Sequence, residues 1–141
     1  MGEAFLLRLA PPGLHLREAV LISPRLREFF ARSQFAGVAD RATARAEVEN
    51  PVCGDHLVLT LRVEAGRAAE LRFLARGCVA AMGCAAAFTE ILQGCPLADL
   101  AAFGRPQLLA AVGGLAPESR HAAALVLDAR DQLLAALGPP T

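Results

Sequence analysis

Three stretches of the chain alternate apolar and polar residues with a period of two. From Thr43 to Glu49, Ala44, Ala46 and Val48 fall on one side and Arg45, Glu47 and Glu49 on the other. From His56 to Val63, the one-sided set is Leu57, Leu59, Leu61 and Val63. From about Ala69 to Ala75, Leu71, Phe73 and Ala75 oppose Glu70 and Arg72. Side chains of a strand point alternately to opposite faces, so each stretch predicts a half-buried strand. Glu64-Ala65-Gly66-Arg67 is a hairpin signal between the second and third. Short turns between consecutive strands predict a three-stranded antiparallel meander with one buried face.

On either side the pattern turns helical. Ser23-Pro24 offers a capping hydroxyl and a proline at the first helical position. The segment from Arg25 to Ser33 then puts Leu26 and Phe29-Phe30 on one side, predicting a short amphipathic helix. Cys78 to Gln93 reads as a helix despite Gly83, a residue that costs about 1 kcal/mol against alanine in a helix interior. Gly94 fits its C-terminus. Two shorter helices follow, Pro96 to Phe103 and Pro106 to Val112, ended by Gly104 and Gly113-Gly114. Ser119 is the expected cap of a last helix that runs to about Leu137 and stops at Gly138-Pro139-Pro140. Residues 1–22 are apolar but irregular, broken by Pro11-Pro12-Gly13, and read as an N-terminal extension to one α+β domain over 23–138.

Composition narrows the function classes. Of 141 residues, 55% are hydrophobic and 20% charged, which suits a folded domain with a real core. Lys+Arg and Asp+Glu both number 14, for a formal net charge of +0, which argues against nucleic-acid binding. The longest uncharged apolar run, Cys78 to Thr89, is short of the roughly 18 residues a membrane span needs. Phe5-Leu6-Leu7 is cut by Arg8 and preceded by Glu3, unlike a secretory signal, so a cytoplasmic location is expected. In a reducing compartment, cysteines at 53, 78, 84 and 95 point to metal binding or reactivity more than to cross-links.

Three places carry the chemistry. Asn50-Pro51-Val52-Cys53-Gly54-Asp55 lies in the first inter-strand turn, where Cys53 and Asp55 can reach one side of the loop. Taken alone it is an ordinary connection with a half-buried cysteine. Gly77-Cys78 lies where a strand meets a helix, and the helix N-terminus is expected to favour the thiolate. His121 falls in the first turn of the last helix, where a lone histidine is ordinarily a surface residue. Together, Cys53, Asp55, Cys78 and His121 sit at the ends of separate elements and can meet at one sheet edge. Two sulfurs, an imidazole and a carboxylate are a credible set for zinc, for iron, or for a [2Fe–2S] cluster with mixed ligation. Cys84 lies six residues beyond Cys78, about 240° around the helix and roughly 9 Å along it, too far to share an ion. It shares a face with Ala81, Phe88 and Ile91 and reads as a small buried hydrophobe. Cys95 is at the far end of the helix, His56 should face away from Asp55, and His15 has no supporting context.

These motifs, with Phe73-Leu74-Ala75-Arg76-Gly77-Cys78 and the helix carrying Thr89-Glu90, resemble the IscU/NifU N-terminal family of iron–sulfur cluster scaffolds over about residues 24–137. The resemblance implies a three-stranded antiparallel sheet packed against several helices. It implies a protein without enzymatic turnover that collects iron and sulfur, assembles a [2Fe–2S] cluster and hands it on. Its implied partners are a cysteine desulfurase and iron–sulfur acceptor proteins, with a homodimer as a further arrangement and neither nucleic acid nor membrane. Zinc at the same site of the purified protein is also implied. By this resemblance Cys53 and Cys78 match the first two family cysteines, Asp55 the aspartate associated with cluster lability, and His121 the histidine before the third cysteine.

The third cysteine falls at Ala122. The chaperone-docking segment of the IscU branch is replaced by Leu115-Ala116-Pro117-Glu118-Ser119, and the long insertion of the SufU branch is missing between Cys78 and His121. Two functions therefore stand side by side: a scaffold or carrier of iron or a [2Fe–2S] cluster, and a zinc-binding module that engages a desulfurase or assembly factor without building a cluster. No Gly-rich phosphate loop is present, and Cys/His is the only nucleophile–base pairing, which disfavours a hydrolase or transferase.

Overall fold

The alternating segments build one antiparallel sheet of order β1-β2-β3 in a computed structural model, which describes residues 22–51 and 54–138. The strands are β1 (Ala44–Asn50), β2 (Asp55–Glu64) and β3 (Arg67–Arg76). β2 and β3 are joined through Ala65 and Gly66, both at positive φ (53° and 72°). That is the backbone of a tight two-residue hairpin turn whose twist matches the strands. The helices are α1 (Pro24–Arg32), α2 (Val79–Leu92), α3 (Leu97–Ala102), α4 (Arg105–Ala111) and α5 (His121–Leu137). A 3-10 turn over Pro117–Ser119 precedes α5. The expected α+β class and meander are the observed ones.

The inner face of the sheet carries the leucines that the period of two selected. Leu57, Leu59, Leu61 and Leu71 are completely buried and Phe73 nearly so. Helix α5 covers β1 and β2, and α2 covers β3. Their core residues include Phe88, Val126, Ala129 and Leu133, all fully buried, with Phe88 edge-on to Phe103 at 5.9 Å. Helix α2 is buried nearly all round, packed against α1, β3 and α5, and alanines 80, 81, 85, 86 and 87 are among its buried residues. Ile91 is an exception: expected on the buried face with Cys84 and Phe88, it is 42% exposed, near the C-terminal end of the helix. Helix α1 runs parallel to α2. Leu26 sits against Gly83 near the start of the pair, and Arg32 closes the other end with a bidentate bond to Glu90 (2.8 and 3.1 Å).

Two sequence expectations at helix ends are revised. Ser23 caps α1 as expected, accepting from the Leu26 N–H at 3.0 Å, and its hydroxyl also donates to the Val112 carbonyl. Ser119 does not cap the last helix. It lies in the 3-10 turn, Arg120 takes the flanking position, and α5 begins at His121 without a side-chain cap. No helix among the described residues is long and apolar enough to cross a membrane. The expected extension over 1–22 lies, but for Ile22, outside the described residues.

At one end of the molecule, the start of β2, the end of β3 and the N-termini of α2 and α5 come together. This follows from connectivity: β3 leads directly into α2, and β2 begins opposite the end of β3, with His56 paired to Arg76.

Candidate metal centre

Asp55, the first residue of β2, is on the inner face and has no solvent exposure. The turn before it is held by the Gly54 N–H on the Asn50 carbonyl (2.8 Å), with Gly54 at φ +73°. Across the sheet end, Gly77 connects β3 to α2 at φ +126°. A Cβ on Gly77 would stand 2.1 Å from Asp55 Oδ1 and 2.8 Å from its Cα. Only glycine lets the two chain segments approach this closely. The gain is one bond: the Cys78 N–H donates to Asp55 Oδ1 at 2.8 Å. That anchors one carboxylate oxygen and leaves Oδ2 facing the cluster of side chains.

Cys78 is the N-cap of α2, with Sγ accepting from the Ala81 N–H at 3.3 Å. His121 opens α5 and aims Nε2 at the same point. Nε2 is 3.0 Å from Asp55 Oδ2 and 3.6 Å from Cys78 Sγ, and Sγ is 3.6 Å from Oδ2. Bonds of about 2.0–2.3 Å to a tetrahedral ion place neighbouring donors about 3.3–3.6 Å apart. The two separations to sulfur match that spacing and the nitrogen–oxygen one is a little shorter, a hydrogen-bond length that an ion would widen, so Asp55, Cys78 and His121 are together a candidate metal set. A nucleophile–base–acid relay is a poorer description. There the histidine uses opposite ring nitrogens for its two partners, whereas here the same Nε2 faces both Cys78 and Asp55.

The electrostatics correct one expectation. The helix N-terminus was expected to favour a thiolate at Cys78, and the Ala81 N–H does act in that direction. Burial outweighs it and, with the Asp55 carboxylate beside the sulfur, holds the thiol above its ordinary value. Without metal, Cys78 is a protonated thiol at neutral pH, able to donate to Asp55 Oδ2. A metal ion must displace that proton. Below the raised thiol pKa, affinity therefore rises with pH, about tenfold per unit for the Cys78 proton. Zinc titrations of the apoprotein between pH 6 and 8 should show this rise. Calorimetry in buffers of different ionisation enthalpy should show proton release. Equal affinity across that range would contradict the assignment of Cys78 as a ligand.

Of the other sequence candidates, Cys53 and His15 lie outside the described residues. Cys84 is fully buried on α2, its thiol pushed up to about 12 by burial, and is the small core residue the helix geometry indicated. Cys95 follows the far end of α2, half-buried. His56 points to the outer sheet face, where it bonds Glu47. Ala122 is fully buried, so the position of the family's third cysteine presents a methyl group to the core beside His121. The steric role of Gly77 is not readable from composition or period. Its signal was the Gly-Cys step at the strand–helix junction.

The geometry has clear relatives. The family described as NifU-like N terminal domain matches residues 23–138. The nitrogen fixation protein NifU of Cereibacter sphaeroides is 39% identical over 109 residues, which are 77% of this chain and 44% of that protein. The iron–sulfur cluster assembly scaffold protein IscU 1 of Archaeoglobus fulgidus is 28% identical over 109 residues, covering 77% of this chain and 71% of its own length. Among solved structures, the N-terminal NifU-like protein of Brucella abortus superposes with a TM-score of 0.68 at 17% identity, over 82% of this chain and 92% of that one. The chain thus spans less than half the length of the NifU it matches. On its motifs, its fold and these matches, the chain belongs to the NifU-like N-terminal domain family.

Proposed function

We propose that the chain is an iron–sulfur cluster assembly scaffold or carrier, holding iron or a [2Fe–2S] cluster as cargo through Cys53, Asp55, Cys78 and His121 and passing it to acceptor proteins in the cytoplasm. The observation that carries this reading is the convergence of Asp55 Oδ2, Cys78 Sγ and His121 Nε2 within 4.8 Å of one another. Oxygen, nitrogen and sulfur donors at one end of a rigid sheet suit a borderline metal ion. A carboxylate among the ligands suits cargo that must leave again. The chain binds and releases rather than turns over substrate, and a cysteine desulfurase is the partner that would supply sulfur.

Anaerobic incubation with ferrous iron, cysteine and a cysteine desulfurase tests it. The expected product is a coloured protein with the visible spectrum of a [2Fe–2S] cluster and equimolar iron and acid-labile sulfide, absent from Cys78→Ser. A colourless protein without bound iron would sink the reading.

A second reading is favoured by two observations. The sulfur separations fit one tetrahedral ion, and Ala122, buried in the core, stands where the resemblance places a third thiol. On this reading the domain holds one zinc and engages an assembly factor without building a cluster. Elemental analysis would give about one zinc per chain, and Cys78→Ser would lower the melting temperature. Ala122→Cys separates the two: a carrier complete without a third thiol gains little, whereas a zinc module acquires cluster-building only in this variant.

A further inference from the structure

The outer face of the sheet is covered only in part. After α1 the chain runs along the free edge of β3, where the Phe73 N–H bonds the Phe35 carbonyl and the Gly37 N–H bonds the Phe73 carbonyl. It then crosses the outer face at the level of Thr60, whose Oγ1 accepts from the Ala39 N–H. Beyond that crossing, toward the metal end, His56, Val58, Leu74, Ala75 and Arg76 line a shallow hollow of about 330 Å³. Leu74 is 46% exposed there, and Val38 on the crossing segment is 59% exposed. Exposed apolar side chains gathered beside a functional site ordinarily mark an interaction surface. Most cations of this face are already neutralised: Arg62 and Arg72 both bond Glu70, and Arg45 and His56 both bond Glu47. Among the described residues, Arg76 at the β3 corner has no ion-pair partner.

The chain itself supplies an occupant. Residues 1–21 are mostly apolar and enter the described fold at Ile22, which is buried in the core. The start of α1 lies at the metal end, because Leu26 rests on Gly83 in the first turns of α2. It also lies on the β3 side, because α1 packs on α2 and its C-terminal end leads onto the β3 edge. The preceding segment therefore arrives at the corner where Leu74 and Arg76 stand. Pro11-Pro12-Gly13 interrupts the sequence, and after it Leu14, Leu16 and Glu18 alternate with His15 and Arg17. In an extended chain those three share one face. Leu14 to Glu18 then span about 13 Å, enough to cross three strands that occupy about 10 Å. The stretch from Glu18 to Ile22 reaches about 13 Å more, from the β3 edge back to α1.

We propose that residues 14–18 form a strap across this hollow, within the same chain. Glu18 meets Arg76 at the β3 corner, Leu16 settles against Leu74 and Val58, and Leu14 extends toward β1. The order follows from the tether: the chain reaches the face from the β3 side, so Glu18, nearest to Ile22, stops at β3. Tethering also decides between this segment and a separate molecule of similar chemistry. A short linker holds the segment at an effective concentration of about millimolar, so a contact of modest area stays closed. Leu74 loses its exposure and Arg76 gains a counter-ion. The strap occupies the outer face beside the metal end and leaves partners the sheet end itself, where Asp55 Oδ2, Cys78 Sγ and His121 Nε2 converge. The inference gives the residues ahead of α1 a role and does not rest on the proposed function.

Methyl NMR of the full chain, labelled at leucine and valine, reads it out. The expected result is a set of nuclear Overhauser contacts from Leu16 to Leu74 and Val58. Those contacts should be absent between labelled and unlabelled molecules in a mixed sample, because the strap is intramolecular. Glu18→Arg and Arg76→Glu should each raise the undocked fraction about two- to fivefold, as expected for an exposed ion pair turned into a like-charge pair. Both substitutions in one chain should restore docking. Leu74→Glu, at an exposed position, should raise the undocked fraction about tenfold by removing the apolar contact and opposing Glu18. Zinc stoichiometry and melting of each variant verify that the domain persists. Leu14 and Leu16 methyls at unfolded positions without contacts to the sheet overturn the proposal. So do contacts to another surface, contacts between molecules, and docking that neither charge reversal weakens.

Discussion

Gly77→Ala is expected to remove metal binding and a large part of the fold's stability together. The new Cβ would lie 2.1 Å from Asp55 Oδ1 and 2.8 Å from Asp55 Cα, and the backbone there is at φ +126°. Contacts of that kind cannot be relieved by a rotamer change, because one partner is main chain. Either the start of β2 or the β3–α2 junction must move. Both routes break the 2.8 Å bond from the Cys78 N–H to Asp55 Oδ1 and scatter the three donors. Strain and a buried carboxylate without its donor cost about 3 kcal/mol or more. That corresponds to a fall of roughly 10 °C in melting temperature for a domain of this size. Metal content after dialysis should fall at least tenfold, by about the same measure of lost preorganisation. A Gly77→Ala protein with ordinary metal content and melting would show that the Asp55–Gly77 contact does not organise the site.

Gly83→Leu should separate stability from metal binding. Gly83 costs α2 about 1 kcal/mol in helix propensity, and a larger residue would recover it. But a Cβ at position 83 would lie 2.6 Å from Leu26 Cδ1 and 3.1 Å from the Leu26 carbonyl oxygen. A leucine there displaces α1, and Leu26, now 1% exposed, loses its burial. Fully burying a leucine is worth about 1.5–3 kcal/mol, and the Ser23 and Arg32 contacts go with it. The net expectation is destabilisation by about 2 kcal/mol or more, seen in thermal melting and in lost helical circular dichroism. Metal stoichiometry should stay near that of the unsubstituted chain, because Asp55, Cys78 and His121 come from β2, α2 and α5 and not from α1. Equal stability would mean that α1 docks by contacts other than Leu26.

The comparison of these two glycines shows where sequence reading reached its limit. Gly83 read as a tolerated defect in a helix. In the fold it is the notch that Leu26 fills. Gly77 read as the step before a cysteine, and in the fold it is the gap through which a buried carboxylate reaches that cysteine's N–H. Neither role is local, since each depends on a residue more than twenty positions away. The same holds for Ser119, whose capping chemistry was right for a helix start but whose place was taken by a 3-10 turn. It holds too for Cys78, where the local helix terminus favoured a thiolate and tertiary burial reversed the outcome.

The strands, by contrast, were legible nearly residue by residue. Alternation at Ala44–Val48, Leu57–Val63 and Leu71–Ala75 is a property of the backbone pleat itself, and a one-residue slip would have put Leu57, Leu59 and Leu61 into water. Helix geometry alone removed Cys84 from the site, because rise and rotation per residue are fixed. The amino-acid sequence by itself therefore determined the sheet, the order of its helices and the residue types available for a metal, since these follow from short-range periodicities and from chemical identity. Only the tertiary structure decided which of those residues share a point in space, how strongly Cys78 holds its proton, and which charges are left over on the open face. Those are set by distances between segments remote in the chain, and by the solvent that each segment excludes from the others.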